Sequence, residues 1–175
     1  MKKVFVFLAA ILGVSLILNF SNSTLSYAQT KTMKPMHKTS TPLTFTAQLS
    51  GKNVVPPLKS KAAGSAKFTF DKNMKSMHYV VHLQNADSVV MTHIHHAAKG
   101  KNGPIAVWLF KFKTAPVNIK NGVLSQGDIT NKDINLDSLR TWMEHGDTYV
   151  LVHTVKHPQG EIRGQIHSSS GSKMK

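Results

Sequence analysis

From residue 43 onward the chain repeats one simple pattern. Phe45, Ala47 and Leu49 alternate with Thr44, Thr46 and Gln48, the period of two that puts apolar side chains on one face of a strand. Ala66, Phe68 and Phe70 do the same around Lys67 and Thr69, and Met77, Tyr79, Val81 and Leu83 around His78, Val80 and His82. A fourth strand is predicted over 89–95, a fifth over 105–112, a weaker sixth over 122–129, and two more over 148–154 and 161–167. Asp71-Lys72-Asn73, Gly51-Lys52-Asn53, Lys101-Asn102-Gly103-Pro104 and His157-Pro158-Gln159-Gly160 fall between them, and these residue types tolerate or preset turn dihedrals. One helix interrupts near 136–145. Asn135 or Asp137 caps it, Leu139, Trp142 and Met143 form its apolar stripe, and Gly146 stops it. Short strands at this spacing with one short helix imply an all-β fold, an antiparallel sandwich or barrel.

The flanks are different. Lys2 and Lys3 precede an apolar run from Val4 to Leu18, and Ser26-Tyr27-Ala28 offers small residues for cleavage, so residues 1–28 read as an export signal. An uncleaved membrane anchor is the alternative, although the run is shorter than the roughly 20 residues a spanning helix prefers. Residues 29–42, rich in Thr and Lys, read as a disordered linker, and 168–175 as a disordered tail. The domain then occupies 43–167, outside the cytoplasmic membrane: secreted, at the cell surface or in a periplasm-like space.

Composition narrows the chemistry. The 175 residues hold 22 Lys and Arg against eight acids, and losing Lys2 and Lys3 with the signal takes the charge from +14 to +12. The lysines are dispersed and no aromatics interleave with them, which argues against a nucleic-acid module and leaves attraction to an acidic cell-surface polymer or another protein. With no cysteine, a disulfide framework and a thiolate metal site are both excluded. There is no nucleophile elbow, Gly-rich phosphate loop or HExxH motif. The few acids, Asp87, Asp128, Glu144, Asp147 and Glu161 among them, do not neighbour one another.

Histidine is the exception. In Thr92-His93-Ile94-His95-His96, His93 and His95 share a strand face with Cα atoms roughly 6.5–7 Å apart, close enough to converge on one ion. His96 points the other way unless the strand has ended before it. His78 and His82 share a face too, but at about 13 Å they form a stripe rather than a site. The apolar strand Val150-Leu151-Val152 ends in His153. Alone, His153 fits a buried histidine bonded to backbone; with His93 and His95 it completes a candidate site for Cu(II) or Zn(II). Glu161 and Arg163 share a face and can pair with each other or across strands. Met33, Met36 and His37 offer soft Cu(I) ligands within the linker, where a spacer that happens to contain them is the plainer reading.

Several segments together resemble the CHRD domain, named from chordin and found in microbial secreted proteins. They are Phe45-Thr46-Ala47-Gln48-Leu49-Ser50-Gly51, Val55-Pro56-Pro57, Ala62-Ala63-Gly64-Ser65-Ala66, His93-Ile94-His95 with Gly100-Lys101-Asn102-Gly103-Pro104, and His153-Thr154 with the run from Pro158 through Ile166. One departure is Val54, where the family usually carries Glu. The resemblance implies a secreted all-β module and supplies no catalytic residues. His93-Ile94-His95 and Val152-His153 are also similar to the copper-ligand segments of copper/zinc superoxide dismutase, a Greek-key sandwich, but its bridging histidine and zinc-site aspartate have no counterpart here. The sequence thus reads as an exported binding module with a metal site at His93, His95 and His153. The alternatives are a copper-dependent redox enzyme of superoxide-dismutase type, or an adhesion or matrix module with structural histidines.

Overall fold

A computed structural model describes residues 42–169. The expected export signal, nearly all of the expected linker with Met33, Met36 and His37, and residues 170–175 of the expected tail lie outside the described residues. Eight strands form: β1 (Thr44–Ser50), β2 (Ala63–Phe70), β3 (Ser76–His96), β4 (Ile105–Lys111), β5 (Val117–Thr130), β6 (Thr148–Thr154), β7 (Ile162–Gln165) and β8 (His167–Ser168). A helix, α1 (Leu136–His145), separates β5 from β6. The all-β expectation holds, and every pairing is antiparallel.

The strands expected over 77–83 and 89–95 are one continuous element, β3, of 21 residues. Its first half pairs with β2 on one edge and β5 on the other; its second half pairs with β6 and β4. Between them the chain bends at Asn85 and Ser88, both at φ 50°, where regular pairing lapses between Ala86 and Val89. Asn is among the few residues that reach this left-handed region at modest cost, so the bend carries no Gly or Pro to announce it. The bend brings the two ends of the sheet together. The order β2-β1-β7-β6-β3 is completed by the β2–β3 pairing, which closes the sheet into a barrel-like sandwich.

Alternation fills the interior. Phe45, Phe68, Phe70, Met77, Val81, Leu83, Ile94, Val150, Val152 and Ile162 belong to one buried cluster. Leu136, Leu139 and Met143 of α1 join it. The helix has the ends its sequence specifies: the Asn135 side chain accepts a hydrogen bond from the Ser138 N–H, and Gly146 caps the C-terminus at φ 74°. No helix among the described residues is long and apolar enough to cross a membrane.

All seven residues of β6 are buried, so its outward face is covered as well. Tyr149 and Leu151 pack there with Val54, Leu58 and Ala97, from the segment after β1 and the turn after β3. Val54 is 6% exposed in this second small core.

Candidate metal centre

The three histidines project from this covered outer face. Met91, His93 and His95 alternate along β3 with Thr92 and Ile94, and Tyr149, Leu151 and His153 alternate along β6 with Val150 and Val152. In the β3–β6 register His95 sits opposite Tyr149, His93 opposite Leu151 and Met91 opposite His153, so His153 lies diagonal to His93 on the same face. On the other edge of β3, register shifts between Thr92 and His93 and between Ile94 and His95 break the pairing with β4 and set Trp108 opposite His93. Such bulges re-aim side chains.

The structure brings His93, His95 and His153 together, with one nitrogen from each lying within 4.8 Å of the others. His93 is 1% exposed and the other two 8% each. Two rings are fixed by backbone carbonyls: His95 Nδ1 lies 2.9 Å from the Gly103 oxygen, and His153 Nδ1 lies 2.9 Å from the Pro158 oxygen. A carbonyl can only accept, so both rings carry their proton on Nδ1 and turn an Nε2 lone pair inward. His153 Nε2 then accepts from His93 Nδ1, 3.3 Å away, which leaves the lone pair of His93 on Nε2. Neither His93 Nε2 nor His95 Nε2 has a hydrogen-bond partner.

Burial keeps the rings neutral. It presses His93 down to about 4, helped by the neighbouring His153 and His95. Burial lowers His95 and His153 too, each opposed by its hydrogen bond to a backbone carbonyl. Neutral imidazole is the ligand form, and a carbonyl on the distal nitrogen is the usual way a ligating ring is oriented. The 3.3 Å between His93 Nδ1 and His153 Nε2 already matches the edge of a tetrahedron built on bonds of about 2 Å. Coordination through His93 Nδ1 would move its proton to Nε2, the atom without a partner.

Aromatic rings wall the cluster. Trp108 meets His93 edge-on at 4.1 Å between centroids, and Tyr149 stacks on His95 at 4.9 Å with 9° between planes. Arg163 of β7 lies over the Tyr149 ring, 3.5 Å from its centroid. Since β6 runs between β3 and β7, Tyr149 is held between His95 and the guanidinium. Its hydroxyl accepts from the Gly103 N–H at 3.1 Å, and Arg163 also donates to the Lys101 carbonyl and to Asn102 Oδ1. The turn that supplies the His95 carbonyl is thereby anchored. Sequence reasoning missed Trp108, Tyr149 and Arg163 as neighbours of the histidines, although Tyr149 shares the two-residue period with His153.

The other candidates fall elsewhere. His96 leaves the cluster and stacks on Trp142 at 4.0 Å. His78 pairs with Asp128 across β3 and β5 at 2.9 Å, both largely exposed. Glu161 and Arg163 do not pair with each other: Glu161 accepts from Ser60, while Arg163 turns to Lys101, Asn102 and Gln165.

The geometry defines a class, a closed antiparallel β-module whose outer face carries three neutral, converging imidazoles. Comparison with known proteins identifies the family. The model for the CHRD domain matches residues 45–166, and the chain belongs to that family. It is 32% identical over 127 residues to chordin of Xenopus laevis and 30% identical over 129 residues to chordin of Danio rerio. Each match covers 68% of this chain and 12% of the relative, so the chain spans about an eighth of the length of those proteins.

Proposed function

We propose that this CHRD domain is an exported binding module that holds Cu(II) or Zn(II) through His93, His95 and His153. One observation carries the reading: three buried imidazoles converge, His95 and His153 turning Nε2 lone pairs inward while His93 presents Nδ1, whose proton can move to the unpartnered Nε2. A cation is the natural occupant of such a site. Imidazole suits both metals, and the absence of cysteine leaves histidine as the strongest donor the chain has. The N-terminal export pattern supports a location outside the cytoplasmic membrane, and a mature charge of +12 supports retention at an acidic surface.

The test is metal titration of chelator-stripped protein by calorimetry, with electron paramagnetic resonance for Cu(II). One equivalent should bind, and His93→Ala or His153→Ala should remove most of the affinity while His78→Ala changes little. Equal losses in all three variants would refute the site, as would tight binding that survives in the His93→Ala/His153→Ala double variant. If no metal binds and His153→Ala only lowers stability, by the roughly 1–3 kcal/mol of a buried group left unpaired, the histidines are structural.

A further inference from the structure

A cleft of about 620 Å³ opens beside β7, within the usual range for small-molecule sites. Its walls divide by chemistry. Val54, Val55 and Pro57 from the segment after β1, with Ile166, form an apolar side; Lys52, Lys99 and Arg163 supply positive charge, and no Asp or Glu lines it.

Arg163 is the unusual member. It is 2% exposed, yet it makes no ion pair among the described residues. Its hydrogen bonds go to the Lys101 carbonyl, Asn102 Oδ1 and Gln165 Oε1, all neutral, and its flat face goes to Tyr149. Neutral acceptors hold the guanidinium in place without balancing its charge, and a buried charge is normally paired. Lys52 and Lys99 at the exposed edge add charge of the same sign, and apolar walls strengthen the field inside a concavity. Glu161, the nearest acid along the chain, accepts from Ser60 and lines a separate cavity rather than this cleft.

We propose that this cleft binds a carboxylate bearing a short aliphatic body. The carboxylate sits in the field of Arg163, Lys52 and Lys99, and the body lies against Val54, Val55 and Ile166. A free short-chain acid and a glutamyl side chain flanked by aliphatic residues present the same chemistry. The cleft adjoins the histidine cluster through the Tyr149 ring that Arg163 covers, but its ligand needs no metal.

The experiment titrates hexanoate, 1-hexanol and the capped peptide acetyl-Leu-Glu-Leu-amide into the purified protein, followed by amide NMR shifts. Hexanoate should shift Val54, Val55 and Ile166 saturably, and more weakly as salt is raised, with 1-hexanol at least about tenfold weaker. The Lys52→Ala/Lys99→Ala variant alters only exposed side chains, so it keeps the test valid even if Arg163→Lys fails to fold. It should lose roughly tenfold in hexanoate affinity. Peptide binding tighter than hexanoate assigns the natural ligand to an acidic peptide, and peptide binding weaker than hexanoate assigns it to a small free acid. Equal binding of hexanol and hexanoate, no response to removing both lysines, or no shifts in the cleft would overturn the proposal.

Discussion

Acidifying the metal-free protein should weaken its fold, and His93 sets most of the size of the effect. Its imidazole titrates near 4 in the folded chain rather than at the ordinary 6.5, chiefly because it is buried. Between those values the unfolded chain binds a proton that the folded chain refuses, so protons favour unfolding. The contribution is complete above about pH 6.5, declines as pH falls through the window, and is spent below about pH 4. A gap of about 2.5 pH units at about 1.4 kcal/mol each gives about 3.5 kcal/mol in full, of which about 3 kcal/mol is lost by pH 4. His95 and His153 are lowered by burial as well and add to the fall. Domains of this size hold only about 5–15 kcal/mol in total, so the loss is easy to see. Urea unfolding followed by circular dichroism, at steps from about pH 7.5 to about pH 4, should be run on the native chain and on His93→Gln, which cannot titrate. Every other group is common to the two proteins, so the difference between them isolates His93. The native chain should lose about 3 kcal/mol more than the variant across the window. Parallel curves, or native stability that rises on acidification, would refute the account of His93 as a buried neutral ring.

Two further outcomes test the surroundings of the cluster. Trp108 meets His93 at 4.1 Å, so Cu(II) at the histidines should quench its fluorescence, and Trp108→Phe should leave a residual Trp142 emission that copper barely changes; strong quenching in that variant would place the ion elsewhere. Gly103→Ala would drive a Cβ onto the His96 carbonyl and to 2.8 Å from the Ala97 Cβ, forcing out the turn whose carbonyl orients His95. Denaturant unfolding should show a loss of roughly 1–3 kcal/mol, and metal affinity should drop at least about tenfold; unchanged affinity would show that the Gly103 carbonyl does not orient the ring.

Local chemistry carried the fold as far as local chemistry reaches. The period of two located the strands, Gly146 marked the end of α1, and of the two caps the sequence offered, Asn135 and Asp137, the structure uses Asn135. The merger of two expected strands into β3 was hidden because its bend falls on Asn85 and Ser88 rather than on Gly or Pro. The closed sheet was equally hidden, since β2–β3 and β6–β3 closure depends on that bend. At the candidate site, the His93–His95 spacing is local and could be read. The arrival of His153 depends on a register set between residues some 60 positions apart, and was visible only as a second apolar strand ending in histidine. The Arg163–Tyr149–His95 stack had no sequence signal, because three neighbouring strands each supply one member.

The position of the histidines on the sheet has a mechanical consequence. His93 and His95 stand on β3 and His153 on β6, neighbouring strands of the closed sheet that join residues about 60 positions apart. That joint links distant parts of the chain, the kind of contact that forms late and opens at high entropic reward. An ion shared by the three rings would act as a clasp across the joint, so the barrel could not open there without first releasing it. Metal availability would then set how well each molecule resists heat or proteases, by mass action on the closed form alone.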